Sequence, residues 1–331
     1  MAHHQLELDI PAPFRLDLTS WALRRRAHNA VDRWDDSCYR RTFVVEGLPV
    51  EIAVRQHGGP TFPVLSVEMR SSTGALSATT VVAATLLLER TLGLGVDLTG
   101  FYELSEQDER LSALAQRFVG MRPPRLPSVF EAVVNAIACQ QLSLAVGIHL
   151  LSRLSGSFGL TAARGQGQPR SFPTPESLSM ADPEVLRQMG FSGAKARAVI
   201  GLARQVTLGE VDLEALHAQG DADAMTMLLS LPGVGRWSAE YTLLRGLGRH
   251  HVLPGDDVGA RNNLRRKFGL HPEAGYEAVA ELSRAWWPYG GLVYFHLLLD
   301  SLASTGLVTG SLAPAGSGTS DAAGLGPSCS P

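Results

Sequence analysis

The stretch Leu231-Pro232-Gly233-Val234-Gly235-Arg236-Trp237-Ser238-Ala239 decides how this chain is read. Two glycines two apart, preceded by Leu-Pro and followed by a helix-period run, describe a tight turn that feeds a helix N-terminus. Glycine permits positive φ and lets a second backbone approach closely. The amides of Gly233, Gly235 and the first helical residues then point outward beside the positive end of the helix dipole, where a phosphate is well held. Such a contact anchors a duplex backbone without reading its sequence. Gly233, Gly235, Arg236 and Ser238 are therefore the candidates for backbone contact, and Arg245 and Arg249 are expected to add local positive charge. Gly-x-Gly after proline alone suits an ordinary helix–helix turn equally well. The full string LPGVGRWSAEYTLLRG is far more specific.

Working outward, 331 residues are enough for two domains with a buried core, and 45% hydrophobic content fits a soluble globular protein. The net charge of −3 excludes a protein coated in positive charge, so any surface for nucleic acid must be local. Cys38, Cys139 and Cys329 are far apart and form no CxxC pair. They suit a reducing compartment and exclude a disulfide framework, a four-cysteine zinc site and an iron–sulfur cluster. No basic flank precedes an apolar core at the N-terminus, so no signal peptide is read. The most apolar stretches carry charges or are too short to span a bilayer. The expectation is a cytoplasmic, nucleoid-associated protein with no membrane contact and no metal site.

Residues 1–20 read as extended and loosely structured, with Pro11 and Pro13 as breakers. The runs TFVVEG, PVEIAVRQ and PVLSVEM between Tyr39 and Arg70 are rich in β-branched residues and separated by turn residues, which predicts strands. A helix-period stretch follows from Ala78 to Leu92. Beyond Arg122-Pro123-Pro124 the pattern is helical, with helices expected at 128–139, 143–155, 182–189, 193–206, 223–230, 236–246, 257–267, 273–284 and 290–304. The fold class is α+β: a small antiparallel-sheet domain at 1–115, then a mostly α-helical domain at 116–309 with the hairpin at about 229–247. The polar insert around 163–171 reads as a mobile loop. The Gly/Ser/Ala-rich tail at 310–331 reads as disordered.

On these residues the chain resembles the helix-hairpin-helix (HhH-GPD) DNA glycosylase superfamily, most closely the 3-methyladenine DNA glycosylase II type. Besides the hairpin, the resemblance rests on Phe130–Ile137 leading into Cys139-Gln140-Gln141-Leu142-Ser143, on Gly193-Ala194-Lys195-Ala196-Arg197, and on Leu253-Pro254-Gly255-Asp256-Asp257-Val258. It covers about Arg122 to Ser304, and more faintly the N-terminal part. It implies a monofunctional glycosylase of base-excision repair that binds double-stranded DNA carrying damaged bases, acts as a monomer, and hydrolyses the N-glycosidic bond of alkylated purines.

The resemblance makes Asp257 the catalytic acid, although an aspartate before a helix is also a natural cap; Asp256 is read as a helix N-cap or a local hydrogen-bonding residue. A carboxylate suits the chemistry, because breaking an N-glycosidic bond builds positive charge on the sugar. The target base must first leave the stack. Trp237 stands where lyase members of the superfamily carry a lysine, and no lysine lies between Lys195 and Lys267, so a Schiff-base step is not expected. Trp237 and Tyr241, four residues apart on one helical face, would stack on an electron-poor base. The resemblance adds Tyr289 to the base pocket. It makes Gln141 the wedge that fills the gap left by the flipped base, where a surface glutamine is the plain alternative. No cofactor is required, while a monovalent cation on the hairpin backbone is suggested. Two other functions stay open at this point. One is an oxidised-base glycosylase relative lacking the lyase lysine; the other is a non-catalytic DNA-binding protein using the hairpin as an anchor.

Overall fold

The computed structural model describes residues 2–308 except 36, 73, 164 and 166. The chain begins with β1 (Ala2–Asp9) and α1 (Leu16–Arg24), then β2 (Arg33–Asp35), β3 (Cys38–Val45), β4 (Leu48–His57) and β5 (Val64–Ser71). The strands form one antiparallel sheet in the order β1-β5-β4-β3-β2. Alternation fixes its inner face: Val50, Ile52 and Val54 of β4 and Leu65, Val67 and Met69 of β5 are all buried. Helix α2 (Ala78–Leu92) covers this sheet. Ser77 caps its start by accepting from Thr80 N, and Gly93 with φ 63° ends it.

Residues 1–20 depart from the expectation of loose extended chain. β1 pairs with β5 through eight residue pairs, and α1 begins at Leu16. An edge strand reading His-His-Gln-Leu-Glu-Leu lacks an apolar run, and the nine residues of α1 are too few for the helical period to stand out. The sequence reading also passed over α3 (Thr99–Ser105) and α4 (Glu109–Arg117). The expected domain boundary at 115/116 falls inside α4. Leu111, Leu114 and Ala115 of that helix join Leu18 and Ala22 of α1 in a cluster with Phe295 and Leu299, so the two parts share a core.

The remaining helices are α5 (Val129–Cys139), α6 (Leu144–Phe158), α7 (Pro175–Ser179), α8 (Pro183–Gln188), α9 (Gly193–Thr207), α10 (Asp221–Ser230), α11 (Arg236–Arg245), α12 (Val258–Phe268), α13 (Tyr276–Arg284) and α14 (Gly290–Ala303), with a 3₁₀ turn at Glu214–Ala218. Those expected from the sequence recur with shifts of a few residues at their ends. All eleven residues of α5 are buried, as suits a helix packed on every side. Ala132 and Ala136 face the sheet cluster, while Val133, Val134 and Ile137 face α6 and α9. An ion network ties the sheet to this helix. Arg41 of β3, 1% exposed, donates to Asp32 at 2.6 Å and to Glu131 of α5 at 2.6 Å, and Tyr39 donates to Asp32 at 2.9 Å. The 163–171 insert lies partly outside the described residues, its flanks joined by a bridge between Thr161 and Arg170. The 310–331 tail lies wholly outside them. No helix among the described residues is long and apolar enough to cross a membrane.

Candidate active site

Helices α10 and α11 form the hairpin, closed by Val234 N donating to Leu231 O at 3.1 Å. Gly233 has φ 83°, and a Cβ there would meet Ala198 Cβ of α9 at 2.8 Å, so this position needs glycine on both counts. Gly235 has no such constraint: its φ is −103° and the space around it is open. Its value is its exposure at the N-terminus of α11, where the first-turn amides have no intrahelical partner. Arg236 stands exposed beside them, paired with Asp256 at 2.8 Å and lying 3.7 Å from the Tyr276 ring centroid.

One side chain expected at the duplex backbone, Ser238, and the two arginines expected to add local charge, Arg245 and Arg249, are engaged inside the protein. Ser238 is buried and its Oγ accepts from Gln140 Nε2, so its side chain is turned inward and only its backbone amide belongs to the first turn of α11. Arg245 lies fully buried at the far end of α11, donating to Ala22 O with its guanidinium 4.8 Å from the Phe295 ring. A helix-period count places Arg245 on the inner face, which proximity in sequence does not reveal. Arg249 is likewise committed, to Asp221 and to Gln219 O.

The hairpin forms one side of a cavity of about 1050 Å³. Trp237, Tyr241, Asp257 and Gln141 all line it, brought together from α11, from the start of α12 and from the α5–α6 turn. Trp237 and Tyr241 lie 5.4 Å apart at 37°, with Trp237 half-buried and the Tyr241 hydroxyl donating to Asn135 at 2.8 Å. Asp257 caps a helix and at the same time lines the cavity. Its Oδ1 accepts from Ala260 N at 2.8 Å and caps α12. Its Oδ2 accepts from Trp237 Nε1 and from the Tyr294 hydroxyl, each at 3.1 Å. Of the two readings of Asp256, the cap falls to Asp257, and the local hydrogen-bonding role holds: Asp256 receives Arg236 and Arg261. Burial and the adjacent Asp257 charge push the Tyr294 phenol well above its ordinary range, so it stays a neutral donor to the carboxylate.

Tyr289 is absent from the cavity lining. It immediately precedes α14 without a side-chain capping bond, and its ring packs 6.0 Å from Phe101 with its hydroxyl against Gly100. Tyr294, five residues on and about 140° further round the helix, faces the cavity instead. The sequence carried no local signal for Tyr294, whose partner is 37 residues away. Arg25 and Arg26, just beyond α1, also line the cavity and were not singled out from the sequence. Arg25 is 5% exposed; one guanidinium nitrogen donates to Asn135 at 2.8 Å and its Nε has no partner among the described residues.

Among the described residues, no lysine lines the cavity. Lys195 is engaged with the Ala138 and Gln140 carbonyls, and burial lowers its pKa. Among the described residues no group of His, Cys, Asp and Glu is arranged to hold a metal ion. The arrangement can thus supply a carboxylate held by three donors, an aromatic wall and a buried guanidinium beside a helix N-terminus suited to phosphate.

Comparison with known proteins agrees with this geometry. The family model described as HhH-GPD superfamily base excision DNA repair protein matches residues 134–289. The DNA-3-methyladenine glycosylase of Bacillus subtilis is 29% identical over 201 residues, covering 61% of this chain and 66% of that protein. DNA-3-methyladenine glycosylase 2 of Escherichia coli is 32% identical over 182 residues, covering 54% and 60%. The chain thus spans just under two thirds of the length of these curated relatives. A solved 3-methyladenine DNA-glycosylase from Archaeoglobus fulgidus superposes with a TM-score of 0.77 at 27% identity, over 89% of this chain and 97% of that one.

Proposed function

We propose that the chain is a member of the HhH-GPD superfamily of base-excision DNA repair proteins and, within it, a monofunctional DNA glycosylase for alkylated purines. It anchors a duplex backbone on the hairpin amides and takes a damaged base into the cavity. It then hydrolyses the N-glycosidic bond and leaves an abasic site in an intact strand. The observation that carries this reading is the placing of Asp257 Oδ2 on the wall of a cavity lined by Trp237 and Tyr241 and free of lysine. As the bond to the base lengthens, positive charge grows on the sugar, and the fixed carboxylate stabilises it while directing a water. Trp237 and Tyr294 orient that carboxylate without supplying a nucleophile. A protein using the hairpin only as an anchor would need neither the cavity nor the acid.

The enzyme works as a monomer on chromosomal DNA in the cytoplasm. A monovalent cation on the hairpin carbonyls belongs to the same proposal. The Gly233 and Leu231 carbonyls each accept one hydrogen bond and keep a second lone pair for it. No step of the chemistry depends on that ion.

The test is incubation with duplexes carrying a single modified base, followed by alkaline cleavage. Breaks that appear only after alkali support the proposal. Breaks without alkali, or trapping of a protein–DNA adduct by borohydride, overturn the monofunctional assignment.

A further inference from the structure

The turn joining α5 to α6 is strained, and it is held from two directions. Leu142 N donates to Cys139 O at 3.4 Å, Gln140 has φ −54° and ψ 134°, and Gln141 has φ 53°. These values describe a type II turn, whose third position normally takes glycine or asparagine. A glutamine stays there only where its surroundings over-determine the conformation. Lys195, on the first turn of α9, donates to the Ala138 carbonyl at 3.2 Å and the Gln140 carbonyl at 2.6 Å, closing the C-terminus of α5. Gln140 holds the other side. Its Nε2 donates to Gly233 O at 2.8 Å and to Ser238 Oγ at 2.5 Å, both in the hairpin and the helix start that present amides to a phosphate. The residues at the tip, Gln141 and Leu142, are exposed at the cavity, Leu142 by 41%.

We propose that Gln140 is a positioning residue that joins the phosphate-anchoring hairpin to the inserting turn, so that docking the hairpin on a duplex sets how deeply Gln141 and Leu142 enter the base stack. This rests on the glycosylase reading and on Gln141 acting as the wedge. The joint matters only while a base is being displaced from its partner. Once the lesion has no partner to leave, insertion contributes little, and the chemistry at Asp257 proceeds without it. A glutamine that merely caps α5 would affect all substrates alike.

The experiment is single-turnover excision of hypoxanthine from two duplexes of the same sequence. In one the lesion lies opposite cytosine; in the other it lies opposite a tetrahydrofuran abasic analogue. Wild type, Gln140→Met, Lys195→Met and Gln141→Gly are compared, with thermal melting of each. Gln141→Gly suits the positive φ and removes the wedge side chain. For Gln140→Met the proposal expects a loss of about tenfold or more opposite cytosine, with the rate opposite the abasic analogue within about threefold of wild type. Lys195→Met is expected to change the ratio in the same direction. An equal loss on both duplexes, or no loss on either, overturns the proposal. If Gln141→Gly raises the ratio while Gln140→Met does not, the joint alone is wrong. If neither raises it, the wedge reading falls as well. If wild type excises hypoxanthine from neither duplex, the glycosylase reading falls first and this inference with it.

Discussion

Arg25 brings a fixed positive charge to the cavity wall, with its Nε unpartnered among the described residues. That charge opposes a cationic N-alkylated purine, by on the order of 2–4 kcal/mol over 4–8 Å at an intermediate dielectric. The Trp237 and Tyr241 faces offset that repulsion for an alkylated base, while the unpaired Nε can also donate to a neutral base offering a carbonyl acceptor. Replacing it by methionine should therefore raise excision of 3-methyladenine relative to hypoxanthine by at least about tenfold, as measured on the two lesions in parallel. Asn135 keeps its bond from Tyr241 in that variant, so the wall should persist. An unchanged ratio would show that Arg25 does not face the base. Arg25 was not legible in the sequence because it reaches the cavity from the far end of the chain. Asp257 and Trp237 were legible because the hairpin and the acid lie twenty residues apart in one segment. Tyr289 and Tyr294 show the limit of that approach, since which face of α14 meets the cavity is fixed by packing on α3, a helix the sequence pattern did not reveal.

At the scale of elements, the joint between sheet and helices rests on the buried Arg41, Asp32 and Glu131. Removing the guanidinium leaves two carboxylates uncompensated in the interior, an arrangement far costlier than its mutual attraction suggests. Arg41→Ala should lower stability by about 3–5 kcal/mol, read as a fall in the urea midpoint. Restoring most of that stability by adding Asp32→Asn and Glu131→Gln would confirm the electrostatic cause; no recovery would point to lost packing. None of these three was singled out in the sequence, where Arg41 lies within a strand and Glu131 on a helix 90 residues away. By contrast, α2 was legible to its end residues, because its apolar period, the Ser77 cap and the Gly93 stop are all local. β1 and α1 were not, because each acquires its partner only from distant chain: β5 for the first, α14 and α4 for the second.

At the scale of the whole molecule, the net charge of −3 is compatible with the proposed DNA-facing site, because the hairpin would offer backbone amides rather than a basic surface. Acid should unfold the protein earlier than its carboxylates alone would require. His296 and His250 are held by burial at about 4, against an ordinary 6.5. Above pH 6.5 neither folded nor unfolded chain protonates them, so their contribution is fully present. As the pH falls from 6.5 toward 4, only the unfolded chain binds these protons, and stability declines, by on the order of 3 kcal/mol for fully buried His296. Urea midpoints between pH 7 and 4 should show this slope, and His296→Gln should flatten it. The central claim is most directly tested by single-turnover incubation of a hypoxanthine duplex with wild type and Asp257→Asn, following free base and strand integrity together. The account predicts released base, an intact strand, and a loss of about a hundredfold or more in the variant. Undiminished base release by Asp257→Asn would contradict it.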